Sequence, residues 1–311
     1  MMTFIKNWTL PIAMLAGALA YFAYVSIPWL NPTHTLALET VSVVQPLLLF
    51  AMLLLTFCKV RPSDLLLSGW QVWLLAFQLL LFLATAAAVI AMPESHWRIV
   101  LESAMLCFIC PTATAAAVVT RKLGGNAGTL MTYTIIINLA VAIAMPLIVP
   151  IIHPHHGTTF LAAFLTIINK VFPLLLGPFF LSILMRWLMP RLTERLAQAR
   201  DLPFYMWAVS LSLAIAMSVR SIVHTHCPWT YQLAIAAVSL LACIMQFAFG
   251  RVIGRRYGET ITAAQACGQK NTVLIIWMGY TFMTPITSIA GGFYSVWHNL
   301  WNSYQLYRVK G

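Results

Sequence analysis

A lysine stands near the centre of an otherwise uncharged apolar stretch: Lys270, within residues 260–282. Long apolar flanks leave its ammonium too deep to snorkel to a membrane surface. A charge at that depth costs at least ~2.5–3.5 kcal/mol on insertion scales, so it is kept where it faces a protein interior, a water-filled cavity or a substrate path. It could be a fixed charge held by backbone carbonyls, an attractor for an anion, or a group that exchanges a proton. Around it lie Gln265, Gly268, Gln269, Asn271 and Thr272. A polar run this dense needs internal partners in hydrocarbon. A second interruption is Cys110-Pro111-Thr112-Ala113-Thr114, where the proline removes a helical hydrogen bond and clashes with the preceding turn. A lone proline reads as a helix kink; two polar interruptions read as a site. His298 and Asn299 are adjacent in a third apolar stretch, where the histidine is either a binding group or a core residue bonded to a nearby carbonyl. Asn138 is a lone polar residue in a span, and a helix–helix hydrogen bond accounts for it as well as a site does.

Catalytic patterns are lacking. The sequence has no GxSxG, no HExxH and no acid pair within a span. A Lys270–Thr272 dyad fails on spacing, because residues two apart on a helix point in different directions. The chain therefore reads as a non-enzyme that calls for no cofactor.

Composition sets the environment. The chain has 311 residues, 61% hydrophobic and only 8% charged, against roughly a quarter charged in a soluble domain. This predicts an all-α membrane protein, a single domain over 1–311. Ten apolar stretches are expected near 9–28, 41–58, 65–92, 99–119, 127–152, 159–185, 203–222, 229–250, 260–282 and 284–306. The segment 186–201, the longest connection on the basic side, is expected to be charged and partly helical.

The net charge of +11 is distributed by topology rather than gathered for a nucleic acid. Fourteen of the 18 basic residues fall on one set of alternating connections: Lys6, Lys59, Arg61, Arg121, Lys122, Arg186, Arg191, Arg195, Arg200, Arg251, Arg255, Arg256, Arg308 and Lys310. Arg98, Lys170 and Arg220 fall on the other, and Lys270 lies between them. The asymmetry places both termini in the cytoplasm. The bilayer, with its anionic head groups, is then the partner of the basic excess. A bacterial inner membrane fits this compact architecture. Lys6, the apolar run and Ala18-Leu19-Ala20 imitate a signal peptide, but the run continues to Trp29, which suits a retained first span.

Cys58, Cys107, Cys110, Cys227, Cys243 and Cys267 lie mostly in spans and read as small packing residues. His153, His155 and His156 cluster in an outer connection and read as a solvated loop before a metal site. Glu102 is the one carboxylate inside a span, near its outer end, so no mid-membrane acid is available to carry a proton.

A faint repeat divides the chain near residue 156. Asn7 and Pro11 precede the first span as Asn169 and Pro173 precede the sixth, and Glu102, Cys110 and Pro111 align with Glu259, Cys267 and Gly268. In that register Thr114 falls opposite Asn271. Repeats over about 1–156 and 157–311, each with an odd number of spans, have inverted orientation, and interrupted helices at matching places in the two halves point to a transport site.

Three segments resemble the bile acid:sodium symporter superfamily. CPTATAAAVVTRKLGGNAGTLMTYT (110–134) is similar to that family's span-four signature, ACGQKNTVL (266–274) to its span-nine signature, and FYSVWHNLWNS (293–303) to its span-ten run. The resemblance implies ten helices in two inverted five-helix repeats. A panel would be built from spans 1, 2, 6 and 7, and a core from the rest, with broken helices four and nine crossing. The family binds two sodium ions at the crossing, and here their oxygen ligands are largely missing. The family's span-four Ser-Asn pair falls on Ala116 and Ala117, its span-five Ser on Leu130, its span-nine Glu on Ala266 and its span-nine Gln on Lys270. Its span-five Thr matches Thr134, and its span-three Gln corresponds approximately to Gln71.

The expectation is a secondary transporter of an organic anion, working by alternating access. Thr112, Thr114, Asn271, His298 and Asn299 would contact the substrate. Lys270, Gln269, Thr134 and Gln71 would occupy the coupling positions, with Lys270 in place of a bound cation and sodium not required. Proton coupling through Lys270 is open. A sensor or scaffold on a transporter fold is the alternative, although no stretch of these residues reads as a soluble output domain.

Overall fold

The computed structural model describes residues 2–60, 63, 65–154, 157–199, 202–224 and 228–310. Among them it is all helical, without a strand. In chain order the helices are α1 (Met2–Ser26), α2 (His34–Cys58), α3 (Gly69–Ala91), α4 (Arg98–Ile109), α5 (Ala116–Lys122), α6 (Ala127–Ile152) and α7 (Phe160–Leu188). They continue with α8 (Pro190–Gln198), α9 (Leu202–His224), α10 (Trp229–Arg256), α11 (Thr260–Gly268), α12 (Thr272–Phe282) and α13 (Ile289–Lys310). Six of them, namely α2, α3, α6, α7, α10 and the Tyr205–His224 part of α9, are long and apolar enough to cross a membrane. Part of α1 and all of α12 are shorter apolar helices. The chain is a multi-pass helical membrane protein. The large apolar side chains that stay exposed along these helices, such as Leu47, Leu80, Phe180, Leu233 and Ile244, are the surface that lipid covers.

The stretches 99–119 and 260–282 are each two helices, as their polar interruptions predict. The first breaks because Cys110 precedes a proline and is driven out of the helical region, to φ −53° and ψ 136°. The second breaks after Gly268, where any side chain would meet the Phe247 ring at 2.3 Å, and Asn271 restarts the helix as its N-cap. The stretch expected from 284 begins its helix later, at Ile289. Thr287 and Ser288 turn their hydroxyls onto the carbonyls of Thr284 and Pro285 and hold a turn there. In the basic connection, α8 is helical; Arg200 and Asp201 lie outside the described residues, as do Arg61, His155, His156 and Cys227.

The helices pack in two groups. In one, α1 lies on α9 and α2 lies on α7 and α9. In the other, α10 is central and contacts α3, α4, α11 and α13. The α10–α11 contact brings two backbones together. A Cβ at Gly250 would stand 2.5 Å from the Ala263 carbonyl oxygen, and one at Gly254 would stand 2.6 Å from that of Glu259. Small residues four apart allow this approach, as they do between membrane helices generally.

Candidate functional site

Where α4 and α11 stop, their carboxyl ends meet. Thr112 and Lys270 form an isolated antiparallel bridge. The Ala113 amide donates to the Gln269 carbonyl at 2.8 Å, and the Asn271 amide to that of Pro111 at 2.9 Å. Each interruption thus satisfies backbone groups that the other exposes. The last carbonyls of a helix have no partner within it and carry a partial negative charge. Side chains supply the missing donors here. Thr112 donates its hydroxyl to the Ala266 carbonyl at 2.7 Å, and Tyr294 donates to that of Gly268 at 2.9 Å. On the α4 end, Gln246 Nε2 donates to Cys107 at 3.1 Å and Lys270 Nζ to Phe108 at 3.4 Å. Cys110 Sγ reaches the Asn271 carbonyl at 3.1 Å. Lys270 is 1% exposed, so its ammonium lies inside the crossing and its hydrogen bond is to a helix end.

A cavity of about 1260 Å³ opens from this crossing towards the basic end of the molecule. Thr114, Gln269, Asn271, His298 and Asn299 line its deep part, and Lys270 borders it. Three buried polar atoms on its lining residues have no hydrogen-bond partner: Gln269 Oε1, His298 Nδ1 and Asn302 Nδ2. A buried polar atom without a partner is costly. These three lie behind the cavity surface rather than open to it, and Asn302 accepts from the Gln265 amide through its Oδ1 at 2.9 Å. Asn299 donates to the Ser295 carbonyl of its own helix at 2.7 Å, and Asn271 caps α12 by accepting from the Leu274 amide.

The expected site residues separate into two sets. Thr114, Asn271, His298, Asn299 and Gln269 come together on the cavity wall. Thr112 does not, because its hydroxyl is taken up across the crossing. Gln71 is placed at the start of α3, where it completes a capping box with Ser68 and donates to the Thr129 carbonyl at 3.0 Å. Thr134 donates to the Leu130 carbonyl one turn back in its own helix, so it and Gln71 act away from the lysine.

Sequence reasoning missed a buried chain of side chains behind the crossing. Tyr133 donates to Gln78 Oε1, Gln78 Nε2 to Gln246 Oε1, and Gln246 contacts Tyr294. These bonds join α3, α6, α10 and α13. Each glutamine lies in a largely apolar helix that carries other polar residues, Gln71 and Thr85 in α3 and Gln232 and Ser239 in α10, and nothing local pairs the two. Asn302 was findable: it stands four residues after His298 and so shares its helix face. Asn138 is fully buried in α6, and neither polar atom of its side chain has a partner.

At the far end from the cavity, α9 closes on α12, where Arg220 Nη1 donates to the Tyr280 hydroxyl at 3.5 Å. Glu102 is buried at the start of α4, held by Arg98 at 2.9 Å, with His153 Nε2 nearby at 3.2 Å. No family profile and no curated protein matches this sequence.

Proposed function

We propose that the chain is a secondary transporter that carries a small or amphipathic organic anion by alternating access. The observation that carries this reading is the crossing itself. Two interrupted helices meet there, and a cavity lined by Thr114, Gln269, Asn271, His298 and Asn299 reaches them from the basic end. Interrupted helices at a repeat boundary are where carriers bind substrate near mid-membrane. The resemblance of residues 110–134, 266–274 and 293–303 to bile acid:sodium symporters supports the same reading. In it, α4 with α5 and α11 with α12 are the fourth and ninth of ten spans, arranged as two inverted repeats. The α1–α2–α7–α9 group is the panel, and the rest is the core. By the positive-inside rule the basic end is cytoplasmic, both termini are inside, and the cavity opens inward. A bacterial inner membrane is the matching location.

Sodium is not required in this mechanism. Lys270 supplies the positive charge between the two helix ends, and its contact with the Phe108 carbonyl favours a tethered cation over a direct substrate contact. The substrate meets Thr114, Gln269, Asn271, His298, Asn299 and Asn302 instead. The test is uptake of a panel of organic anions into proteoliposomes, with sodium and pH gradients varied independently and Lys270→Gln measured alongside. Saturable uptake indifferent to sodium is the expected result. Sodium-stimulated uptake would end the tethered-cation reading, and no uptake of any anion would leave the sensor or scaffold in its place.

A further inference from the structure

The cavity mouth has a chemistry that the crossing lacks. Lys59 follows the last turn of α2, Arg121 and Lys122 end α5, and Asn126, Ala127 and Gly128 begin α6; all six line the cavity. The three basic side chains are exposed, and among the described residues none of them pairs with an acid. Among the described residues, no carboxylate lines the cavity.

The cations come from both packing groups. Lys59 belongs to α2, which packs on α7 and α9, while α5 packs on α6 and α11. They line one cavity, and partial burial, then the Arg121 charge, holds the Lys59 ammonium below its ordinary value. Positive charges facing each other across a water-filled gap oppose its narrowing. The amino end of the 26-residue helix α6 borders the same space but is already served: the Asn126 side chain accepts from the Gly128 and Thr129 amides, and Glu259 accepts from Asn126 and Thr129. The anion-binding groups at the mouth are therefore the three cations.

We propose that Lys59, Arg121 and Lys122 form an oxyanion site at the cavity mouth, separate from the crossing, in which one phosphate-like group bridges the ends of α2 and α5. A bound oxyanion replaces repulsion across the gap with two charge-assisted contacts. Occupancy therefore favours the approach of the two helix ends. The site stands whether or not the chain carries a cargo.

The test is titration of the purified protein in neutral detergent with inorganic phosphate and with sulfate, at ionic strength held constant with chloride. Heat of binding and melting temperature are followed. Saturable binding is expected, weakened about tenfold or more in Lys59→Gln and in Arg121→Gln, the loss of one charge-assisted contact. Arg255→Gln, an exposed arginine off the cavity, leaves binding unchanged. Lys59→Glu sets an acid near Arg121, so it raises the melting temperature in anion-free buffer and removes the phosphate response, which a merely structural lysine would not do. Competition by anionic phospholipid, measured in bilayers with and without it, assigns the site to a lipid head group; no competition assigns it to a free anion. The proposal is overturned if neither anion nor anionic lipid binds saturably, if chloride acts equally, or if binding survives Lys59→Gln but is lost in Asn302→Leu.

Discussion

Lys270 and Phe108 are joined across the crossing: the ammonium donates to the carbonyl at 3.4 Å, on the end of a half-helix that would otherwise leave that oxygen bare. The mid-membrane charge and the broken helix therefore explain each other. Removing the charge leaves the carbonyl buried without a donor, which costs ~1–3 kcal/mol. Lys270→Ala is expected to lower the melting temperature by several degrees, and a small alkylammonium ion added to the buffer should restore part of the loss. The larger Lys270→Met fills the space and should not respond. A wild-type melting temperature in Lys270→Ala would show that the lysine does not hold the crossing.

Thr112 and Thr114 stand two residues apart and have different work. Thr112→Val removes the donor to Ala266 and should cost ~0.5–1.5 kcal/mol of stability. It should leave the concentration dependence of uptake unchanged. Thr114→Val alters a cavity wall and should do the reverse. Melting curves and uptake kinetics on the same two variants separate the roles.

The crossing was legible in the sequence because both interruptions carry local chemistry: Pro111 with its preceding residue, Gly268, and the polar run around Lys270 are each incompatible with a continuous buried helix. The roles of Thr112 and Thr114 were not legible. The backbone there is neither helix nor strand, so no periodicity assigns a side. Gln71 could have been placed correctly, since Ser68 followed by Gln71 has the spacing of a capping box at a helix start. Gln78 and Gln246 could not, because their partnership is a tertiary contact between two apolar helices. The basic mouth was hidden for another reason. Lys59, Arg121 and Lys122 satisfy the positive-inside pattern, and the sequence cannot tell a charge facing lipid head groups from one lining a cavity.

Gln78 and Gln246 make a stability prediction of their own. Gln246→Leu strands the Cys107 carbonyl and the Gln78 Nε2 donor at once. A loss of ~2–4 kcal/mol is expected from two buried groups left without partners. The double variant Gln78→Leu with Gln246→Leu should lose less than the sum of the single losses, because it removes both members of the pair. Denaturation of the four proteins in one detergent provides the comparison, and strict additivity would break the inferred coupling.

His298 lines the cavity and its Nδ1 is buried without a partner, so stability and function should move in opposite directions there. Replacing a polar group that lacks a partner with an apolar one of similar size removes a desolvation cost. His298→Phe is expected to raise the melting temperature of the ligand-free protein, by up to a few degrees, and to abolish saturable uptake. Asn302→Leu, which removes the acceptor of the Gln265 amide, should lower it. Destabilisation in His298→Phe would mean that the histidine serves the core and not a ligand.

The mouth should also respond to pH, and the sign follows from Lys59. Its ammonium loses its proton at a lower pH than an ordinary lysine, because burial and then Arg121 disfavour the charged form. The charged form is the one that binds an anion. Affinity is therefore full below the Lys59 pKa and falls as pH rises through it. Arg121 keeps its charge throughout this range. Sulfate is the suitable probe, since its own charge does not change there. Sulfate binding to the wild type should weaken on the alkaline side at a lower pH than a free lysine would give. Lys59→Arg removes the titrating group and should flatten that decline while retaining binding. Among the described residues, the remaining titratable groups that line the cavity are Lys122, Lys270 and His298. Should the decline persist unchanged in Lys59→Arg, one of them carries it, and the bridge between α2 and α5 is not made through Lys59.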